Sequence, residues 1–273
     1  MLTSGLLLRA AFAGYLGGTA AFAVYLATRR HAAAVLGLWL SAAAVAVHAG
    51  GYGMDCAATR AMVVVTPRGM CSLLAFVTAA LSLAITARHR LHMMGAFVMP
   101  LVAVLGGVAV AAPEPVVPAV VLHGPLFPLH VWTTYLGLAG FTTAFGTSIA
   151  WLVQEHELKS RAPGSLMFSL PPLDTVERLS LSLVNHALVL TAAGILTGFL
   201  YSKTTAGIWW PQEPKTVATV LCWCLYAAVP VLRRSLGWGG RRTAWCIIGG
   251  FALVVFTFAA LSHLPGPLAT KEV

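Results

Sequence analysis

Apolar residues run through this chain in long blocks, with the polar residues gathered into short breaks between them. Eight blocks stand out, at 5–27, 33–51, 69–87, 93–112, 130–153, 180–201, 216–232 and 243–263. Each is long enough to cross a hydrocarbon core of about 30 Å as a helix. Lipid cannot satisfy a bare backbone, so every crossing segment must be helical. The predicted fold is therefore all-α, a polytopic transmembrane helical bundle of about eight spans. Ala, Gly, Ser and Thr recur within the blocks and permit close helix approach. The first block, Gly5 to Ala27, is too long for the apolar core of a signal peptide and lacks a convincing cleavage site, so it is read as a span.

Composition agrees with that pattern: the chain is 59% hydrophobic and 9% charged, with a mean hydropathy of +0.84. The formal charge of +9 is read as membrane topology, not as a nucleic-acid surface. Taking alternate breaks, one side carries Arg29, Arg30, Arg88, Arg90, Lys159, Arg161, Arg178, Arg233, Arg234, Arg241 and Arg242. The other carries only Arg60, Arg68, Lys203, Lys215 and Lys271. Basic residues collect in cytoplasmic loops. The expected setting is the bacterial inner membrane, with the basic side cytoplasmic and both termini on the outer, periplasmic side. The chain divides into a four-span half, 1–129, with an outer loop, and a second four-span half, 130–273, which contains the polar break at 198–215.

That break holds the most distinctive chemistry. Trp209 and Trp210 are followed by Pro211-Gln-Glu-Pro214 and Lys215. Such rings suit a membrane–water boundary and also offer flat faces to a flat ligand. Three histidines point to the same face: His48 near the outer end of the second span, His130 at the start of the fifth and His263 at the outer end of the eighth. Neutral imidazole is the usual protein ligand of haem iron. Any one of these histidines serves equally well as an interhelical hydrogen-bonding group, and their clustering with the tryptophans is what points to haem. In that reading His130 and His263 supply axial nitrogens, with His48 as a further candidate. Trp209 and Trp210 stack on or edge the ring, and Lys215 or Lys203 meets a propionate. Glu213 pairs with Lys215, and Pro211 and Pro214 stiffen the shelf.

The other polar groups carry less. His31, His89, His92 and His156 lie in or beside inner breaks and read as solvated interface residues. His186, inside the sixth span beside Asn185, reads as an interhelical hydrogen-bonding pair. Cys222, Cys224 and Cys246 read as small buried apolar groups. Cys56 and Cys71 both fall toward the outer face, where a bridge between them is open. No phosphate-binding loop, zinc-protease motif, nucleophile elbow or haem-attachment Cys-x-x-Cys-His occurs.

The second half resembles the cytochrome c assembly protein family of the CcsA, CcmC and HemX type, membrane proteins that handle haem. The likeness begins at Leu170-Pro-Pro-Leu-Asp-Thr-Val-Glu-Arg-Leu179 and continues through Ala193-Gly-Ile-Leu-Thr-Gly198. It then runs through the tryptophan break, Leu225-Tyr-Ala227 and Gly237-Trp-Gly-Gly-Arg-Arg-Thr-Ala-Trp245. Eight spans with outer termini suit a HemX-like member. The break resembles a degenerate form of the family's tryptophan-rich haem platform. Gly207 and Trp210 fall on its Gly and first Trp, and Pro214 and Lys215 on its Pro-Lys. Glu213 keeps a carboxylate in place of its Asp. Gln212 replaces its second Trp and Thr216 its final Glu. His130 matches the outer histidine that opens a span in the family, and His48 is placed like one in an earlier span. Where the family often has a histidine in the span after the platform, this chain reads Val229-Pro-Val-Leu232.

The resemblance implies haem b, fixed or in transit, at the outer face. It implies partners among the membrane lipids and the subunits of cytochrome c maturation or another membrane complex, a role in assembly without small-molecule turnover, and no nucleic acid. Two other readings stand beside it. One is a structural or regulatory membrane subunit of the same fold that has lost haem, which the departures at Gln212 and Val231 favour. The other is a small-solute transporter, against which stand the lack of an inverted repeat and of paired broken helices.

Overall fold

The computed structural model describes residues 2–64, 66–89, 91–112, 124–159, 172–210 and 214–262. They form eight α-helices: α1 Leu2–Thr28, α2 His31–Thr59, α3 Pro67–His89, α4 His92–Ala111, α5 Leu126–Lys159, α6 Leu173–Ala206, α7 Pro214–Leu236 and α8 Gly240–Ser262. No strand occurs among the described residues. Among the described residues seven helices, α1 to α7, are long and apolar enough to cross a membrane by length and composition. Each predicted span coincides with one helix, but most helices overrun the predicted ends. The hydropathy pattern stops where polar residues begin, whereas the helix continues into the interface. α5 and α6 have 34 residues each, about 50 Å at the usual rise, well past a hydrocarbon core of about 30 Å.

The turns are set by local chemistry. Proline opens α3 (Pro67) and α7 (Pro214), where its missing N–H costs nothing. Arg29 and Arg60 adopt left-handed backbone at the ends of α1 and α2, and Gly207 does so after α6, donating its N–H to the Lys203 carbonyl at 3.1 Å.

Antiparallel packing of successive helices brings alternate helix ends together. At one end the His31 and His92 rings meet edge-on at 5.6 Å. There Met93, Met94, Trp151, Val176 and Ala244 share one buried cluster. At the opposite end Tyr52, Val63, Val64 and Leu73 pack with Val131 and Tyr135. The middle of the first half is filled by Tyr15, Phe22, Met99 and Val102. In the second half Phe141 stacks on Tyr226 with ring centroids 4.0 Å apart, and the Tyr226 hydroxyl donates to the Ile247 carbonyl at 3.0 Å. All five cysteines are free thiols, Cys56 and Cys71 included. Cys222 is buried as expected, but Cys224 is exposed. Two residues apart on a helix point in different directions, so the α7 packing face can take only one of them.

The arginine-rich end is tied by charge. Arg233 Nη2 lies 2.6 Å from Glu177 Oε1, while Glu155 lies between Lys159 and Arg241. The Glu177 side chain is 15% exposed and that of Arg233 29%. Asp174 and Arg178, also paired, are both about two-thirds exposed. Exposed pairs contribute roughly 0–1 kcal/mol, whereas removing one partner of a buried pair costs roughly 3–5 kcal/mol. Glu177→Gln is therefore expected to lower the thermal midpoint of the detergent-solubilised protein clearly. Asp174→Asn should leave it within error, and equal effects would contradict this ranking.

Candidate functional site

The N-terminal ends of α5 and α7 and the C-terminal end of α6 border an open cleft of about 240 Å³. It is lined by His130 of α5, by Ile195, Gly198 and Phe199 of α6, and by Thr216 and Thr219 of α7. Two glycines one helical turn apart let α5 approach α6 beside it. A Cβ on Gly194 would stand 2.3 Å from Thr134 Oγ1, and one on Gly198 would stand 2.8 Å from His130 Nδ1. Only bare backbone at 194 and 198 lets α5 lie this close, with the Nδ1 edge of the imidazole against α6.

That contact fixes the ring. His130 Nδ1 lies 2.7 Å from the Gly194 carbonyl oxygen. A carbonyl only accepts, so Nδ1 carries the proton and donates it. In the neutral ring Nε2 then holds the lone pair, as a metal-ligating histidine requires. Among the described residues no three histidine, cysteine or acidic side chains gather to hold a metal ion.

The aromatic shelf lies beside the cleft. The Trp210 ring packs on Phe199 at 5.1 Å, and Phe127 packs on Tyr201 at 5.4 Å. Phe199 thus connects the cleft wall to Trp210, which remains 42% exposed. Trp209 is 59% exposed and engaged differently: the Lys203 ammonium sits 5.7 Å from its ring centre and 3.4 Å from the Gly207 carbonyl. Such a cation over a ring contributes about 0.5–1 kcal/mol at an exposed site. The two tryptophans therefore have different neighbours.

The other sequence candidates fall elsewhere. His48 is 1% exposed and lies among α1, α2 and α3. Its Nδ1 is 2.9 Å from the Tyr15 hydroxyl and its Nε2 2.7 Å from Ser72 Oγ. Both nitrogens are taken, so in this arrangement neither is open to a metal. Lys215 stands in the first turn of α7. Glu213, Gln212, Pro211 and His263 lie outside the described residues.

A family model described as Cytochrome C assembly protein matches residues 65–265. The chain belongs to this cytochrome c assembly family. Among curated relatives it is 28% identical over 171 residues to a cytochrome c biogenesis protein CcsA of Synechococcus sp. (strain RCC307), covering 55% of this chain and 54% of that protein. It is 27% identical over 137 residues to a protein of the same description from Prochlorococcus marinus (strain MIT 9215), covering 50% of this chain and 40% of that protein. It is 31% identical over 91 residues to another from Prochlorococcus marinus subsp. pastoris, covering 33% of this chain and 29% of that protein. The chain thus spans about half or less of the length of these relatives. The matched region takes in α3 to α8 and with them the cleft.

Phe199 and Thr219 were not singled out in the sequence, and Thr216 was noted only in place of the platform's final Glu. The available signal was Gly194-x-x-x-Gly198. Its spacing marks a close helix contact, but nothing in it says that a histidine from another helix fills the contact. Gly198→Ala is expected to displace the imidazole and cost roughly 1–3 kcal/mol, as overpacking does. Gly50, where an added Cβ meets nothing within 4 Å, should take the same change without loss. Thermal unfolding in detergent compares the two, and an unperturbed Gly198→Ala protein would contradict the close seam.

Proposed function

We propose that this protein handles haem in cytochrome c biogenesis, holding it at the outer ends of α5, α6 and α7. The observation that carries the reading is the His130 Nδ1 bond to the Gly194 carbonyl, which leaves Nε2 as the coordinating nitrogen beside an aromatic shelf. Family membership and the description shared by its curated relatives support the same role.

The cleft suits part of a flat ligand. Small-molecule pockets usually hold about 300–1,000 Å³, and this one is slightly smaller. An edge of the macrocycle would enter between α6 and α7, and Phe199 and Trp210 would cover what projects. Haem b brings iron, a flat apolar ring and two propionate charges. His130 is the ligand on one face, and His263, beyond the described end of α8, is the proposed second. Lys215 at the start of α7 is the propionate partner, with Glu213 as its counter-charge. Lys203 positions Trp209 through the contact described above. His48 is left out of the ligand set because both its nitrogens link helices.

The bundle is read in a bacterial inner membrane with its arginine-rich end in the cytoplasm, which places the cleft on the periplasmic side. Its partners would be lipids and other subunits of cytochrome c maturation, with no nucleic acid. We take 130–273 as the haem-bearing half and 1–129 as its support.

Absorption spectra of the purified protein, oxidised and reduced, test the reading. A Soret band is expected from haem-replete cells. His130→Ala should weaken or shift it strongly, and Trp210→Ala should weaken it less. If neither purified nor haem-reconstituted protein shows a Soret band, the haem reading fails and a structural subunit of the same fold takes its place.

A further inference from the structure

Asn185 and His186 lie on the outward face of α6, both exposed, and not between helices of this chain as the sequence suggests. The opposite face of α6 is spent on α5, through Leu183, Val184, Ala187, Thr191 and Gly194. The predicted span begins near residue 180, so His186 sits about 9 Å inside the hydrocarbon at the usual rise. His186 Nδ1 donates to the Ser182 carbonyl of its own helix at 2.6 Å, which leaves Nε2 as an outward acceptor. Among the described residues no partner reaches the Asn185 amide. A polar pair facing lipid is costly, because hydrocarbon offers neither donor nor acceptor.

The surrounding stripe is built like a helix-pairing seam. Ser182, Val189 and Leu196 recur every seven residues, and Ala192 and Ala193 keep the middle of the stripe shallow. Val189 is 71% exposed and Leu196 62%. At 3.6 residues per turn, Asn185 and His186 fall on opposite sides of the Ser182–Val189 line, at nearly the same depth.

We propose that a second copy of this chain docks on this face, α6 against α6, about a two-fold axis along the membrane normal. Both copies insert with the same orientation, so the helices run parallel. A two-fold rotation sets the Asn185 edge of one copy beside the His186 edge of the other, and the reverse. The Asn185 amide then donates to His186 Nε2 of the second copy, twice per dimer. The pair is its own complement, with a donor on one edge and an acceptor on the other. This assignment uses no part of the haem cleft and stands whether or not haem binds.

Oxidative cross-linking in native membranes tests it, using the full chain with its native cysteines replaced and Val189→Cys introduced. A dimer-sized product is expected. Leu225→Cys, on the 54% exposed outer face of α7, should give none. Adding Asn185→Leu and His186→Leu to Val189→Cys should cut the product roughly tenfold, as loss of two interhelical hydrogen bonds implies. Subunit counting by single-molecule photobleaching of the unsubstituted chain in bilayers gives a readout independent of these variants, with two expected. A Val189→Cys chain that cross-links only to a different protein, an undiminished product in the double leucine variant, or single-step photobleaching would overturn the proposal.

Discussion

Hydrocarbon offers a polar group no partner, and this bundle answers by giving neighbouring helices polar links to one another. Tyr15, His48 and Ser72 connect α1, α2 and α3. His130 connects α5 to the α6 backbone at Gly194, and Thr147 meets Ser180 at 2.7 Å further along the same pair. The Trp223 indole donates to the Leu188 carbonyl at 2.9 Å and holds α7 to α6. Tyr226 reaches the Ile247 carbonyl on α8. In lipid the apolar surfaces give little net drive to associate, so close packing and such links select the arrangement. Interhelical bonds measured in membranes average about 0.6 kcal/mol each, so the set acts collectively and chiefly fixes register.

The same device produces the site. A helix carbonyl that also accepts a side-chain proton is ordinary membrane architecture. Placed under a histidine at the end of the bundle, it becomes a tautomer selector. Gly194 and Gly198 are required twice over, once for the approach of α5 and once so that the imidazole can lie on the backbone it bonds to. α7 follows at a wider spacing, and the gap between α6 and α7 is the cleft. Where a polar pair lacks such a link inside the chain, as at Asn185 and His186, the same rule points outward to a second copy.

Much of the fold was legible because period and length carry it. Eight apolar blocks became eight helices, and alternate turns gathered at one arginine-bearing end, as the charge pattern requires. The helix ends were less legible, since polar residues such as Asp55 and Glu155 end an apolar pattern without ending a helix. Of the site, His130 and Trp210 were recognisable from type and position, and they share Phe199 as an intermediary. Phe199 and Thr219 were not, because sequence alone does not show which face of α6 looks toward α7. His48 shows the converse difficulty. Its depth and type match those of a ligand, and only the surrounding Tyr15 and Ser72 show that both nitrogens are used. The pairing of Trp209 with Lys203 follows from the turn at Gly207, which no hydropathy pattern contains.

Nitrogen NMR of the ligand-free protein, with histidine labelled at both ring positions and His130→Gln used to assign its signals, tests the His130 tautomer directly. The ring is expected to carry its proton at Nδ1 and to be bare at Nε2, with the Nδ1 proton in a strong hydrogen bond. Binding of added haem should then shift the Nε2 signal and leave Nδ1 protonated. A ring protonated at Nε2 and bare at Nδ1, or an Nε2 signal unmoved by haem, would contradict this reading of His130.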